Sequence, residues 1–122
     1  MTAIPPSYDI SSETLEKVRS LVKEDVEDIS FIFKVLSDPI RIGILKALNT
    51  DNLCVCVFVE VTSQRYSFLS YHLKQLEEAK LVDYRKKGKF LIYHLTELGK
   101  KVLEVIAEIK QWLISSDQFR IY

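Results

Sequence analysis

A mainly α-helical domain with one small β-hairpin is the fold class this sequence predicts, and three observations carry that expectation. Apolar residues recur at spacings of three and four along much of the 122-residue chain, the period of a helix with one buried side. Two short runs rich in strand formers, Leu81–Arg85 and Phe90–Leu95, flank Lys86-Lys87-Gly88-Lys89, whose glycine suits a tight hairpin turn. Just before them, the stretch from about Tyr66 to Ala79 buries Leu69, Leu73 and Leu76 on one side and offers hydroxyl-rich polar residues on the other. Helix, turn, helix and then a basic hairpin is the layout of a winged helix-turn-helix.

Hydrophobic content of 48% and charged content of 28% fit one ordinary globular domain. No apolar run approaches the ~20 residues a membrane span needs. The opening Met1-Thr2-Ala3-Ile4-Pro5-Pro6 has neither the basic region nor the apolar core of a signal peptide, so a cytoplasmic protein that avoids membranes is expected. The net charge of zero hides a division. From Asp9 to Asp28 seven acids face three bases, and from Arg65 to Lys101 nine bases face four acids. A chain polarised in this way can turn a basic face to phosphate while its far side stays acidic.

In order, residues 1–10 read as a flexible arm, 11–114 as the domain and 115–122 as a tail. Ser11 or Ser12 caps a first helix whose stripe Leu15, Val18, Val22, Val26 and Ile29 leads into a helical continuation from Ser30 to Leu36. Ser37-Asp38-Pro39 restarts the helix, with proline at the first position, where its missing N–H is harmless. Ile40, Ile44, Leu45 and Leu48 form its buried face. Gly43 is expected to let another helix approach closely. Leu53–Val61, L-C-V-C-V-F-V-E-V, has strand propensity but a length that also fits a short buried helix. Thr96 caps a last helix with a wide apolar face, Leu98, Val102, Val105, Ile106, Ile109 and Leu113, flanked by Trp112. Such a face has more to cover than one small core, and a second copy of the chain would supply the cover.

The polar side of the helix after the break offers Tyr66, Ser67, Ser70, Tyr71 and Lys74. A helix fits the major groove, and short hydroxyl and long amphipathic side chains reach base edges and phosphates from it. Arg85, Lys86, Lys87 and Lys89 cluster at the hairpin, a shape for gripping backbone phosphate or the minor groove beside it. Taken alone, such residues are more often a solvated polar face and an exposed basic turn; their order along the chain favours double-stranded DNA. His72, beside the core leucines, reads as a structural or phosphate-bonding histidine, and His94 ends a strand. No nucleophile triad, carboxylate pair or glycine-rich phosphate loop is present, so an enzyme is not expected.

Four segments carry a resemblance to a known family. They are L-S-D-P-I-R-I-G-I-L-K-A-L at 36–48, N-L-C-V-C at 52–56, S-Y-H-L-K-Q-L-E-E-A-K-L-V at 70–82 and R-K-K-G-K-F-L-I-Y-H-L at 85–95. Together they resemble the ArsR/SmtB metal- and metalloid-responsive repressors over about half the chain. The resemblance implies a homodimeric winged helix-turn-helix repressor that pairs through its first and last helices; such a dimer is expected to bind the two half-sites of a palindromic operator. It also implies that Leu53–Val61 is a helix. The sequence departs from the family where Ser63 replaces a turn glycine and Arg65 replaces a capping serine or asparagine.

Cys54 and Cys56 are the only cysteines. In the family this pair gives thiolates to soft metals or arsenic(III), and binding loosens the grip on DNA. Arsenic(III), zinc, cadmium and copper(I) are the ions such sulfurs suit. Two thiolates do not close a tetrahedral site. A third family cysteine falls on Val59, and the frequent aspartate falls on Val57. Residues 1–10 hold neither Cys nor His, and the last helix offers Glu97, Glu104 and Glu108 without a histidine. Soft-ion sensing, a thiol redox switch and plain apolar packing all stay open for the pair. An effector-independent regulator and a winged-helix protein-interaction module stay open for the chain.

Overall fold

The computed structural model describes residues 2–116. Its backbone contacts divide into two compact units, Met1–Ser30 and Phe31–Tyr122. In the first unit, the Tyr8 N–H donates to the Pro5 carbonyl at 3.0 Å, and helix α1 (Ser12–Val22) follows. Ser11 caps it, its hydroxyl accepting from the Thr14 N–H at 3.1 Å. No residue of α1 is buried.

The continuous stripe expected from Leu15 to Ile29 does not form one helix. The chain leaves α1 at Lys23, and α2 (Glu27–Leu36) starts afresh. The Asp25 carboxylate accepts the Glu27 N–H at 3.1 Å, a local bond that competes with the helical ladder. Glu27 and Asp28 then occupy the first turn of α2, where the helix dipole favours acids.

After α2 come α3 (Pro39–Leu48), β1 (Leu53–Cys54), α4 (Val55–Thr62), α5 (Tyr66–Glu78), β2 (Val82–Lys87), β3 (Phe90–Leu95) and α6 (Glu97–Ser115). The three strands form one antiparallel sheet in the order β1-β3-β2. Asp38 caps α3, its carboxylate accepting from the Ile40 N–H at 2.8 Å, with Pro39 opening the helix as expected. The disputed run from Leu53 to Val61 divides between its two readings. Leu53 and Cys54 pair with Tyr93 and Ile92 as a short edge strand, and Val55 onward is helix. Burial decides the helical part: Val55 and Phe58, three apart, are 1% and 2% exposed, and packing outweighs the strand propensity of the valines.

The core joins Val35 of α2, Ile44, Leu45 and Leu48 of α3, Val55 and Phe58 of α4, Leu69, Leu73 and Leu76 of α5, and the sheet residues Val82, Tyr93 and Leu95. Each buried leucine contributes about 1.5–3 kcal/mol, so α5 is anchored by its three leucines along one side. Its end is a Schellman turn. The Leu81 N–H reaches the Leu76 carbonyl at 3.0 Å and the Lys80 N–H reaches Glu77 at 2.9 Å, with Lys80 left-handed at φ 63°.

Close approach occurs at Gly99 and not at Gly43. Around Gly43 a β-carbon would meet nothing within 4 Å, whereas at Gly99 it would stand 2.1 Å from the Leu81 carbonyl oxygen. The start of α6 is drawn onto that turn by Thr96, whose N–H donates to Leu81 at 3.1 Å and whose hydroxyl donates to Lys80 at 2.7 Å. Thr96 also caps α6, as expected, by accepting from the Gly99 N–H. Helix α6 runs to Ser115, so the tail expected at 115–122 begins within it, and residues 117–122 lie outside the described ones. No helix among the described residues is long and apolar enough to cross a membrane.

Candidate nucleic-acid interface and thiol pair

Helix α5 presents the predicted polar residues opposite its buried leucines. Tyr66 and Tyr71 are 56% and 55% exposed, Ser67 and Lys74 are exposed, and Ser70 is half-buried beside the core. The turn into the helix explains both departures noted in the sequence. Ser63 ends α4 in the left-handed region at φ 57°, the conformation a glycine accepts without strain. Arg65 takes the extended N-cap conformation of α5 but makes no side-chain capping bond. The first N–H groups of α5 are therefore left to water or to an anion.

The hairpin is longer and its turn tighter than the sequence suggests. Lys86 and Lys87 belong to β2, with Lys87 opposite Phe90, so the loop is only Gly88-Lys89. Gly88 has φ 60°, the positive value a II′ hairpin turn requires at its first central residue. Strand alternation then divides the four bases. Arg85 and Lys87 project from one face, Lys86 from the other, and Lys89 stands at the tip. Arg85, opposite Ile92 in the middle of β2, is set back from the tip: with His94, Lys100 and the loop Asn49–Asn52 it lines a polar cavity of about 470 Å³.

Cys54 occupies a structural position that the sequence did not suggest. It is the N-cap of α4, extended at φ −72° and ψ 152°, and its sulfur accepts from the Cys56 N–H at 3.3 Å. A thiol thus fills a place usually held by Ser, Thr, Asp or Asn. Both cysteines are free, Cys54 half-buried and Cys56 exposed, so neither is a core packing residue. The hydrogen bond with the Cys54 side chain, then desolvation and the charge of Cys54, push the Cys56 thiol above its ordinary range. A thiophilic cation bound to the two sulfurs would favour their thiolate form. Two soft sulfurs fit part of the coordination such an ion needs. Among the described residues no group of three or more His, Cys, Asp or Glu is placed to hold a metal.

Sequence reasoning missed Arg41. Its Nε donates to Nδ1 of His72 at 3.0 Å and its Nη1 donates to the Val35 carbonyl at 3.2 Å. The guanidinium carbon lies 5.8 Å from the centre of the Tyr71 ring. Arg41 and His72 stand in the two motifs D-P-x-R and S-x-H-L, but 31 residues separate them, and no local spacing relates them. His72 is 4% exposed, which makes it the structural histidine of the two readings rather than a contact to phosphate.

A helix held by its leucines with hydroxyl and basic side chains outward, beside a lysine-tipped hairpin, defines a winged helix-turn-helix DNA-binding protein. The chain belongs to the arsR family of bacterial regulatory proteins. Residues 38–84 match the family described by that name. An arsenical resistance operon repressor of Staphylococcus xylosus is 36% identical over 92 residues, 75% of this chain and 86% of the relative. A cadmium resistance transcriptional regulatory protein CadC homolog of Staphylococcus aureus is 31% identical over 80% of this chain and 82% of its own. Among solved structures, Rv0081 of Mycobacterium tuberculosis is similar with TM-score 0.65 and 27% identity, over 73% of this chain and 92% of that one. The homodimeric winged helix-turn-helix DNA-binding domain Mb0332 of Mycobacterium bovis shares the fold at TM-score 0.64 and 17% identity, covering 89% of this chain and 94% of that domain. Family and fold are those of DNA-binding transcriptional regulators, not of enzymes.

Proposed function

We propose that this chain is a homodimeric, cytoplasmic repressor that reads a palindromic operator and is released by arsenic(III) or another soft ion at Cys54 and Cys56. The observation that carries the reading is α5. Tyr66, Ser67, Ser70, Tyr71 and Lys74 are the base- and phosphate-contacting residues, and Arg85, Lys86, Lys87 and Lys89 hold the adjacent backbone. Distance from the turn narrows this set. Lys87 and Lys89 near the tip are best placed for phosphate, while Arg85, set back in the middle of β2, contributes least.

Dimerisation uses the first and last helices. Support comes from the exposed apolar residues on them: Val18, Leu21 and Val22 on α1, and Val105, Ile109, Trp112 and Leu113 on α6. Residues 1–10 act as an arm and 11–114 as the working domain. The arsenical and cadmium regulators among the relatives support a thiophilic effector, and the half-buried Cys54 and exposed Cys56 supply two thiolates to it.

The test is selection of duplexes from a random pool by the full chain, followed by titration of the selected duplex with arsenite, cadmium, copper(I), zinc and peroxide. Expected is a loss of affinity with at least one thiophilic ion that Cys54→Ser abolishes. Loss only with peroxide would assign the pair to redox sensing. No loss with any of them would make the regulator effector-independent, and no retention on duplex DNA at low salt would make it a protein-interaction module.

A further inference from the structure

The guanidinium of Arg41 offers only hydrogen-bond donors, and that fixes the state of His72. A guanidinium cannot accept a hydrogen bond, so the Nδ1 atom 3.0 Å from Arg41 Nε must be the bare nitrogen of a neutral imidazole whose proton sits on Nε2. The same arginine lies against the Tyr71 ring at 5.8 Å, within the range of a cation–π contact. One side chain of α3 therefore holds a buried residue of α5 and, next to it in sequence, an exposed one.

We propose that Arg41 is a positioning residue for DNA reading: bound to neutral His72, it fixes the Tyr71 side chain on the outer face of α5, and a proton on His72 undoes that hold. The proposal rests on the reading of Tyr71 as a base-contacting residue. With a proton on Nδ1, the imidazole becomes a donor and a cation facing another donor and cation. The nearest acceptor is the Asp38 carboxylate, whose Oδ2 is 3.9 Å from the same nitrogen. Protonation thus exchanges the Arg41 bond for an Asp38 ion pair, and Arg41 is left with the Val35 carbonyl alone.

The groups facing His72 are few. Asp38 stands at the cap of α3 and Arg41 within α3; on α5 itself the Phe68 and Tyr71 rings meet the imidazole edge-on at 4.6 and 5.4 Å. Burial holds the imidazole below its ordinary pKa, with Asp38 opposing and Arg41 reinforcing that shift. The sign follows. A base depressed in the folded state contributes in full above its unfolded value, and the contribution is lost as pH falls through the folded one.

The experiment measures the ratio of affinities for the selected and a random duplex between about pH 5.5 and 8 at constant ionic strength. For the unaltered chain the ratio should fall roughly tenfold toward the acid end, the scale of one good base contact. His72→Asn places a non-titrating amide oxygen near the accepting position and should keep the neutral-pH ratio while flattening the profile. Arg41→Lys should lower the ratio about tenfold at neutral pH, with affinity for random duplex within about twofold, and should remove the pH step. His94→Asn should keep the step. A pH-independent ratio in the unaltered chain, while the His72 imidazole titrates by NMR, would overturn the proposal. So would an unchanged ratio in folded Arg41→Lys. Tyr71→Ala, measured alongside, separates the two levels. If it loses discrimination and Arg41→Lys does not, the positioning role alone falls; if it keeps discrimination, the base-contact reading falls and takes the proposal with it.

Discussion

Ser63 and Lys80 each hold a non-glycine residue in the left-handed region, at φ 57° and 63°. Both end a helix, and both bracket α5: Ser63 sets the angle at which the chain enters it, and Lys80 closes its Schellman turn. Left-handed backbone costs a residue with a β-carbon about 1–2 kcal/mol, and glycine is relieved of that cost. Ser63→Gly and Lys80→Gly should therefore each stabilise the fold by about 1 kcal/mol, read as a rise in denaturant midpoint at unchanged slope. The gain is reduced by the greater freedom glycine has in the unfolded chain. A lower midpoint for Ser63→Gly would mean that the serine side chain contributes a bond outweighing its strain.

At the scale of elements, much was legible because the signals were local. The Asp38-Pro39 restart, the Ser11 and Thr96 caps and the leucine side of α5 all follow from spacing within one or two turns. The failures have physical causes of the same kind. Val26 and Ile29 continue the apolar period of α1, so the break made by Asp25 was invisible to periodicity. Val55, Val57, Val59 and Val61 favour a strand by propensity, and only the burial of Val55 and Phe58 against distant elements makes α4. The Arg41–His72 bond joins residues no pattern relates. Within the hairpin, the sequence grouped four bases at one turn, whereas the register puts Lys87 against Phe90 and sets Arg85 back opposite Ile92, in the middle of β2. That register predicts unequal effects. Lys87→Ala should weaken binding to selected and random duplexes alike and reduce the slope of log affinity against log salt by about 1. Arg85→Ala should change that slope less. Equal losses from both would show that the whole strand, and not its tip, follows the phosphate backbone.

At the scale of the whole molecule, the chain divides by charge into an acidic stretch from Asp9 to Asp28 and a basic one from Arg65 to Lys101, and among the described residues the outer apolar side chains of α6 are exposed. Trp112, 76% exposed, lies with Val105, Ile109 and Leu113, each near half exposure, around a shallow groove on that helix. So much exposed aromatic and aliphatic surface on one helix marks an interaction site, and aromatic anchors dominate the energetics of such sites. A regulator that reads two half-sites needs a partner to carry the second α5. Trp112→Glu places a charge in the middle of the groove without touching any core residue. It should convert dimer to monomer in sedimentation at micromolar concentration and cost at least ~2 kcal/mol of association free energy. The folded monomer should keep its thermal transition but lose most of its affinity for the selected duplex, because each α5 would then bind alone. A dimer that survives Trp112→Glu with operator affinity intact would move the interface off α6, and the exposed apolar residues of α1 would be the next to substitute.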